Sequence, residues 1–462
     1  MIKCPHCGGE VGFDPSKQSV TCPYCRSEFD PSKLEVTVKH AKERKNPLME
    51  NGKSYTCSQC GATLMTFDET AITFCSYCGS QAMLEDKIKN VLNPDYVIPF
   101  AKTKEECINE YKKKVASAAF VPNYLKEDVV VEKFRGIYMP YAVYKLVFKG
   151  NTKNKGSVFA YRGGDYKYYN DYEVTSDVDA EYIGMSYDLA SNFYDKFSSA
   201  IPFNYKEKKD FNPNYLSGFY ADVSNVSGEV YDNDALSVIS RDTSVRMGAN
   251  KDFKKYGCMF PYVPFKVAER KIAMFPVYFL AVRTKDNKSI NYAVVNGQTG
   301  KVAMDMPVDF KKYIKFSLII AAVIFVLINW LITIKATTVC FFAIIAGLIA
   351  MLISLSQISK INNSRYHLND KGYYATNKNP EIVKFSKFKY IYKDLIAMII
   401  PVLVLIFNYY SNDLYYYMGA GISLLFVLFS FKDLVEEHNL LSTNKIPQLE
   451  KRGGDEKWKR NL

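Results

Sequence analysis

The chain reads as a multidomain protein: two small β zinc ribbons, an α+β cytoplasmic domain with an antiparallel sheet, and an all-α four-helix transmembrane region arranged as two hairpins. Three observations predict this. Eight of the eleven cysteines lie before residue 80, in a spacing that occurs twice. Aromatic and β-branched runs fill the middle of the chain, and four long apolar runs follow residue 312. A single mixed core would not segregate its residue types in this way, and 462 residues is about three domains' worth of chain.

The ribbons carry the sharpest signal. Cys4, Cys7, Cys22 and Cys25 form C-x2-C-x14-C-x2-C, and Cys57, Cys60, Cys75 and Cys78 repeat it 53 residues later. Each set offers four thiolates in two close pairs, the donor set that holds zinc in a closed tetrahedron with no position left for a catalytic water. Two structural Zn2+ ions are therefore expected, with iron in an S4 site as the competing metal. Gly8-Gly9 and Gly61 follow the first knuckle of each set, short strands Gln18–Thr21 and Thr70–Phe74 lead into the second, and Tyr24 and Tyr77 occupy matching positions. His6 reads as a knuckle residue, and His40, His367 and His438 as surface residues. Ribbon 1 spans residues 1–30, a charged linker 31–54 and ribbon 2 residues 55–80.

The N-terminus has no apolar stretch of the kind that opens a secretory signal, so the ribbons are expected in the cytoplasm, where paired cysteines are metal ligands before they are disulfides. A nucleic-acid role would call for a basic face. Residues 1–30 instead carry Lys3, Lys17 and Arg26 against Glu10, Asp14, Glu28 and Asp30, and residues 57–78 carry Asp68 and Glu69 with no base. Lys39, Lys42, Arg44 and Lys45 in the linker read as a solvated connector. Protein docking is the expected use, nucleic-acid binding the alternative.

Residues 91–312 read as the α+β domain. Thr103 and Glu106 form a capping box ahead of Ile108, Tyr111 and Val115 at helical spacing. Strands are expected over Gly136–Tyr144 and Phe275–Leu280, and a hairpin over Ile290–Val295 and Lys301–Ala303, its Asn296-Gly297 taken to supply the positive φ of a tight reversal. Gly300-Lys301 lacks the glycine and hydroxyl of a phosphate loop, and Cys107 and Cys258 read as buried small side chains. No catalytic or cofactor-binding residue can be named, so no enzymatic activity is expected.

Phe316–Ile334, Val339–Ile358, Leu395–Tyr410 and Leu414–Phe431 are the expected spans, grouped as hairpins over 313–359 and 394–431. The segment 360–393 carries eight Lys or Arg against Asp370 and Glu381, and the charged tail 432–462 carries seven more Lys or Arg, whereas the opposite turns hold only Lys335. This places both termini and the central loop on the cytoplasmic side of a multi-pass cell-membrane protein, the loop against anionic inner-leaflet lipid. Asn329 and Gln357 read as interhelical hydrogen-bonders, and the spans are otherwise free of ionisable groups except at their edges.

Taken with the Ile98-Pro99-Phe100 entry, the Gly136–Pro140 segment and the Val295–Val302 hairpin, the ribbons give the chain a family resemblance. It is similar over roughly residues 1–312 to the TFIIB-type zinc-ribbon-containing membrane proteins of Gram-positive bacteria. The resemblance implies a membrane scaffold or recruiter that docks protein partners, in some members alongside envelope-stress components, with the eight cysteines as zinc ligands.

Overall fold

The computed structural model describes residues 3–34, 53–59, 61–66, 75–77, 83–86, 94–127, 134–191, 193, 195–224, 226–283, 290–331, 335–364, 380–408 and 412–441. The strand expected over Thr70–Phe74, the basic linker residues, and His40 and His367 lie outside them, as do Cys60 and Cys78.

Three short strands, β1 (Gly12–Asp14), β2 (Ser19–Thr21) and β3 (Glu28–Phe29), make a small antiparallel sheet in the order β1-β2-β3. Among the described residues the other strands belong to one large mixed sheet. Its members are β4 (Lys53–Cys57), β5 (Thr63–Thr66), β6 (Met83–Asp86), β7 (Tyr96–Val97), β8 (Arg135–Gly163), β9 (Tyr166–Asp188), β10 (Lys209–Asp210), β11 (Tyr220–Asp222), β12 (Lys266–Arg283), β13 (Ile290–Asn296) and β14 (Val302–Met304). The spine is β8. It pairs antiparallel with β12 along one edge, and along the other with β11 in parallel and then with β9 as a long hairpin.

The second cysteine pair of the repeat is not free-standing. Strand β4 pairs with β5 and β6, and β5 pairs with β11, so these residues continue the sheet of the α+β unit across the boundary expected at residue 80. The physical reason is side-chain content. Leu64 and Met65 are fully buried, on opposite faces of a strand whose alternation suits a two-sided core.

That core has a layer on each face of β8. Tyr138 belongs to a cluster with Phe100, Tyr111, Phe13 and Val20, whereas its neighbours Ile137 and Met139 belong to one with Cys57, Cys75, Tyr77 and Phe279. The first four-cysteine unit thus packs against one face and the second knuckle pair against the other. Helix α1 (Lys104–Ser117) opens with the expected capping box, Thr103 accepting from the Glu106 amide at 3.2 Å and Glu106 accepting from the Thr103 amide at 2.8 Å, and buries Cys107, Tyr111 and Val115. Helix α2 (Asp195–Ser198), helix α3 (Asp232–Gly248) and helix α4 (Lys251–Lys255) complete the domain.

The β13–β14 turn forms by another route than expected. The positive φ falls on Gly300 (+74°), not on Asn296 or Gly297. Asn296 instead accepts from the amides of Gln298 (2.8 Å) and Thr299 (3.0 Å) through its side chain, and Gly297 is needed because a Cβ there would stand 2.3 Å from the Phe100 ring.

Four helices follow: α5 (Phe310–Leu331), α6 (Ala336–Ser364), α7 (Pro380–Phe407) and α8 (Asp413–Leu441). Two stretches among the described residues, Ala336–Gln357 and Asp413–Asn439, are long and apolar enough to cross a membrane.

Candidate metal centre and the cleft beside it

Cys4, Cys7, Cys22 and Cys25 converge, with all four sulfurs within 4.8 Å of one another. Cys4 and Cys25 Sγ stand 3.5 Å apart, as do Cys7 and Cys22. A tetrahedron with Zn–S bonds of about 2.3 Å has sulfur–sulfur edges of about 3.8 Å, so the set fits an S4 zinc site. Cys4 and Cys22 are buried against the domain, while Cys7 and Cys25 face outward. The Ser27 hydroxyl (3.2 Å) and backbone amide beside Cys25 lower its thiol, while at Cys7, against the pull of the Gly9 amide, the neighbouring sulfurs raise it. His6 stays outside the sulfur set: its Nδ1 meets the Ser27 hydroxyl at 2.8 Å and its ring packs on Phe29.

The backbone explains why these cysteines converge. In the first knuckle the Cys4 amide donates to the Gly9 carbonyl and the Gly8 amide to the Cys4 carbonyl, both at 2.8 Å, with Gly8 at φ +73°. Cys22 repeats the loop with Ser27 (3.0 Å) and Arg26 (2.9 Å), Arg26 taking φ +60°. Cys57 repeats it again with Ala62 and Gly61, both at 2.8 Å, Gly61 at φ +73°. One two-bond turn with a left-handed residue thus recurs at three cysteine pairs. Of the second set the described residues include Cys57 and Cys75, both buried in one cluster.

The matching tyrosines have opposite fates. Tyr24 is 73% exposed, whereas Tyr77 is buried, donates its hydroxyl to the Asp222 carboxylate and packs on Phe279 at 5.0 Å. Burial, then the Asp222 charge, pushes the Tyr77 hydroxyl well above its ordinary value. Spacing alone could not separate the two, because the difference lies in which sheet edge each knuckle meets.

The first unit is fixed to the domain by hydrogen bonds as well as apolar packing. The Phe13 amide donates to the Ser217 carbonyl (3.0 Å), Ser217 Oγ donates to the Val11 carbonyl, and Asn214 Nδ2 donates to Pro31 (2.8 Å) and Leu34 (2.9 Å). Gln18 reaches the Phe100 carbonyl at 2.7 Å. Beside this junction lies a cleft of about 920 Å³. Strand β3, through Glu28 and Phe29, lines one wall and Lys209 of β10 the other; each strand ends its own sheet.

Cys107 and Cys258 are buried, and burial raises the Cys107 thiol to about 12, which suits packing and not nucleophilic chemistry. His438 is exposed on α8.

The fold and site define a mixed-sheet protein with a metal-competent four-cysteine cluster and two helices apolar enough to cross a membrane. No family model matches the chain, the TFIIB-type proteins included, and no solved structure matches it. The chain is similar to the Uncharacterized protein YdjG of Bacillus subtilis (strain 168), 26% identical over 312 residues that take in 66% of this chain and 90% of that protein.

Proposed function

We propose that the protein is a non-enzymatic, membrane-anchored docking module. In this reading both cysteine sets hold structural zinc, the helices α5 to α8 span the membrane as two hairpins with both termini cytoplasmic, and the sheet domain recruits a protein partner to the inner face. The second zinc rests on the turn at Cys57, which repeats the two turns of the first set. The membrane reading rests on the outward faces of the helices: Leu318, Val326, Phe341, Leu352, Ile406 and Leu425 are all exposed, a surface suited to hydrocarbon.

The observation that carries the docking reading is the cleft between β3 and β10. Two open strand ends offer unpaired backbone to an extended segment, the geometry of strand addition. Pro15, Pro31 and Tyr215 supply apolar contact, and 920 Å³ lies within the range of specific binding clefts. Of the charged residues lining the cleft, Glu28 is paired with Lys17 and Asp30 with Lys33, Glu207 accepts from Gln298 at 2.8 Å, and Lys206 and Lys209 stand exposed. An extended peptide segment with an acidic side chain placed against Lys206 and Lys209 fits this lining.

The test is affinity capture of the full-length protein from membranes, run beside a Lys206→Glu, Lys209→Glu form that leaves every zinc ligand in place. Loss of the same protein partner from the double variant is expected. Identical capture by both forms, or capture abolished by nuclease treatment, counts against the reading, the second outcome in favour of a nucleic-acid role.

A further inference from the structure

Strand β9 runs for 23 residues, and among the described residues it pairs with β8 alone. Over residues 177–183 its outer edge therefore carries backbone amides and carbonyls with no strand beside them, every second residue pointing outward. Helix α3 flanks that edge. Residues 179–183 of β9 and Ile239 and Arg246 of α3 line one groove of about 350 Å³. Tyr182 pins the helix there, its hydroxyl meeting Thr243 at 2.8 Å and the buried Asp242 at 3.2 Å.

The two faces of this edge strand differ in character. Val178, Ala180 and Tyr182 pack on the cluster that holds Ile239 of α3. On the opposite face Asp171, Glu173, Asp177, Asp179 and Glu181 form an acidic stripe at two-residue spacing, interrupted at Thr175, beside a basic stripe of Lys145, Lys149, Lys153 and Lys155 on β8. Glu181, Asp179 and Glu173 pair with Lys145, Lys149 and Lys153, and Asp171 accepts from Ser157, which leaves Asp177 with no ion-pair partner among the described residues. Those lysines all stand on the inner side of the acids, and the Asp179 side chain is still 71% exposed. Arg246 adds no net charge to the groove, because it pairs with Asp242 at 3.1 Å and lies over the Tyr182 ring.

Charge decides what this edge can accept. Antiparallel pairing with β9 of a second copy, centred on Ala180, would set Asp179 across from Glu181, and like charges directly opposite destabilise a sheet. A strand with Lys or Arg at every second position would instead extend the ladder, basic against acidic. We propose that residues 177–183 of β9, with α3 beside them, form a strand-addition site for an extended basic segment of a protein partner, its alternate residues small or apolar against Ile239. The site is separate from the cleft at Lys206 and Lys209 and opposite to it in charge.

The test is fluorescence anisotropy of a labelled peptide of alternating Lys and Val against the full-length protein in nanodiscs of neutral phosphatidylcholine. Saturable binding is expected, with none for the matching peptide of alternating Glu and Val. A Lys-Val peptide N-methylated at adjacent central residues keeps its charge and loses strand hydrogen bonds. It should bind about ten-fold more weakly, as should the unmodified peptide to an Asp177→Lys, Asp179→Lys form. The Lys206→Glu, Lys209→Glu form should keep the parent affinity. No saturable binding, equal affinity for the N-methylated peptide, unchanged affinity in the Asp177→Lys, Asp179→Lys form, or weakened binding in the Lys206→Glu, Lys209→Glu form would each overturn the site.

Discussion

The side chain of Asn439, near the end of α8, grips the backbone of Ala119, 320 residues away in the chain: its Nδ2 donates to the Ala119 carbonyl at 2.8 Å and its Oδ1 accepts from the Ala119 amide at 3.2 Å. The first of the four helices holds the same loop. Lys312 Nζ donates to the Val121 carbonyl (2.6 Å) and Asn123 Oδ1 (2.7 Å), and Phe120, at φ +55°, packs edge-on against Tyr313 at 5.4 Å. Tyr313 in turn donates to the Leu428 carbonyl of α8 at 2.8 Å. The loop after α1 is therefore a peg seated between α5 and α8, and it couples the sheet domain to the helical region.

Asn439→Ala should loosen that joint. Removing both side-chain partners from a backbone group next to a packed ring costs about 1–3 kcal/mol. Limited proteolysis of the solubilised protein should then cut within residues 118–123 faster than in the parent, with the sheet domain's own unfolding unchanged. Equal cutting rates would show the clamp to be idle.

Zinc retention should depend on pH with a defined sign. The thiols must be deprotonated to bind, so binding releases protons and the stability it gives is lost as pH falls. Zinc measured after dialysis should be two ions per chain at neutral pH and decline on acidification. Cys7→Ser with Cys25→Ser alters the outward-facing pair only and should remove one ion, while Cys57→Ser with Cys60→Ser should remove the other. A single ion lost in the first variant and none in the second would refute the second site.

Tyr77→Phe should destabilise the sheet domain by about 1.5–3 kcal/mol, the usual worth of a hydrogen bond to a charged group. The ring contacts survive in Phe, but the Asp222 carboxylate loses a buried donor; its Oδ1 still accepts from the Val223 amide at 2.7 Å. Denaturant unfolding of the zinc-loaded protein measures it. Tyr24→Phe, at the matching but exposed position, should leave stability unchanged.

Gly297→Ala should cost about 1–3 kcal/mol by overpacking, since the new methyl would meet the buried Phe100 ring and, at 3.1 Å, Pro276. The expected readout is a lower thermal midpoint. Gly164→Ala, at a hairpin tip with open space around it, should cost less and only through its φ of +59°.

What the sequence made legible follows from how local each signal is. The four-cysteine cluster at Cys4, Cys7, Cys22 and Cys25, the capping box at Thr103 and Glu106, the strands around Gly136–Tyr144 and helices over the apolar runs all depend on spacing within a few turns or strands and all appear, two of the helices long and apolar enough to cross a membrane. The continuity of β4 and β5 with the large sheet was not legible, because pairing of β5 with β11 joins residues 64–66 to 220–222 and leaves no local pattern. The same holds for the cleft between β3 and β10. Asp394 sat at the edge of an apolar run that opens at Leu395; only packing shows that it is buried and accepts from Ser354 of α6.

The central claim is that the four-cysteine unit and the sheet domain together form a protein-docking cleft. It is tested most directly by a photo-reactive side chain at Lys209, on the cleft wall, in the full-length protein in its native membrane, with the same probe at the distant hairpin residue Lys167 as control. A discrete protein adduct at position 209 is predicted, absent at 167 and lost when Cys7 and Cys25 are replaced by serine. No adduct at 209, or one that nuclease removes, would contradict the account.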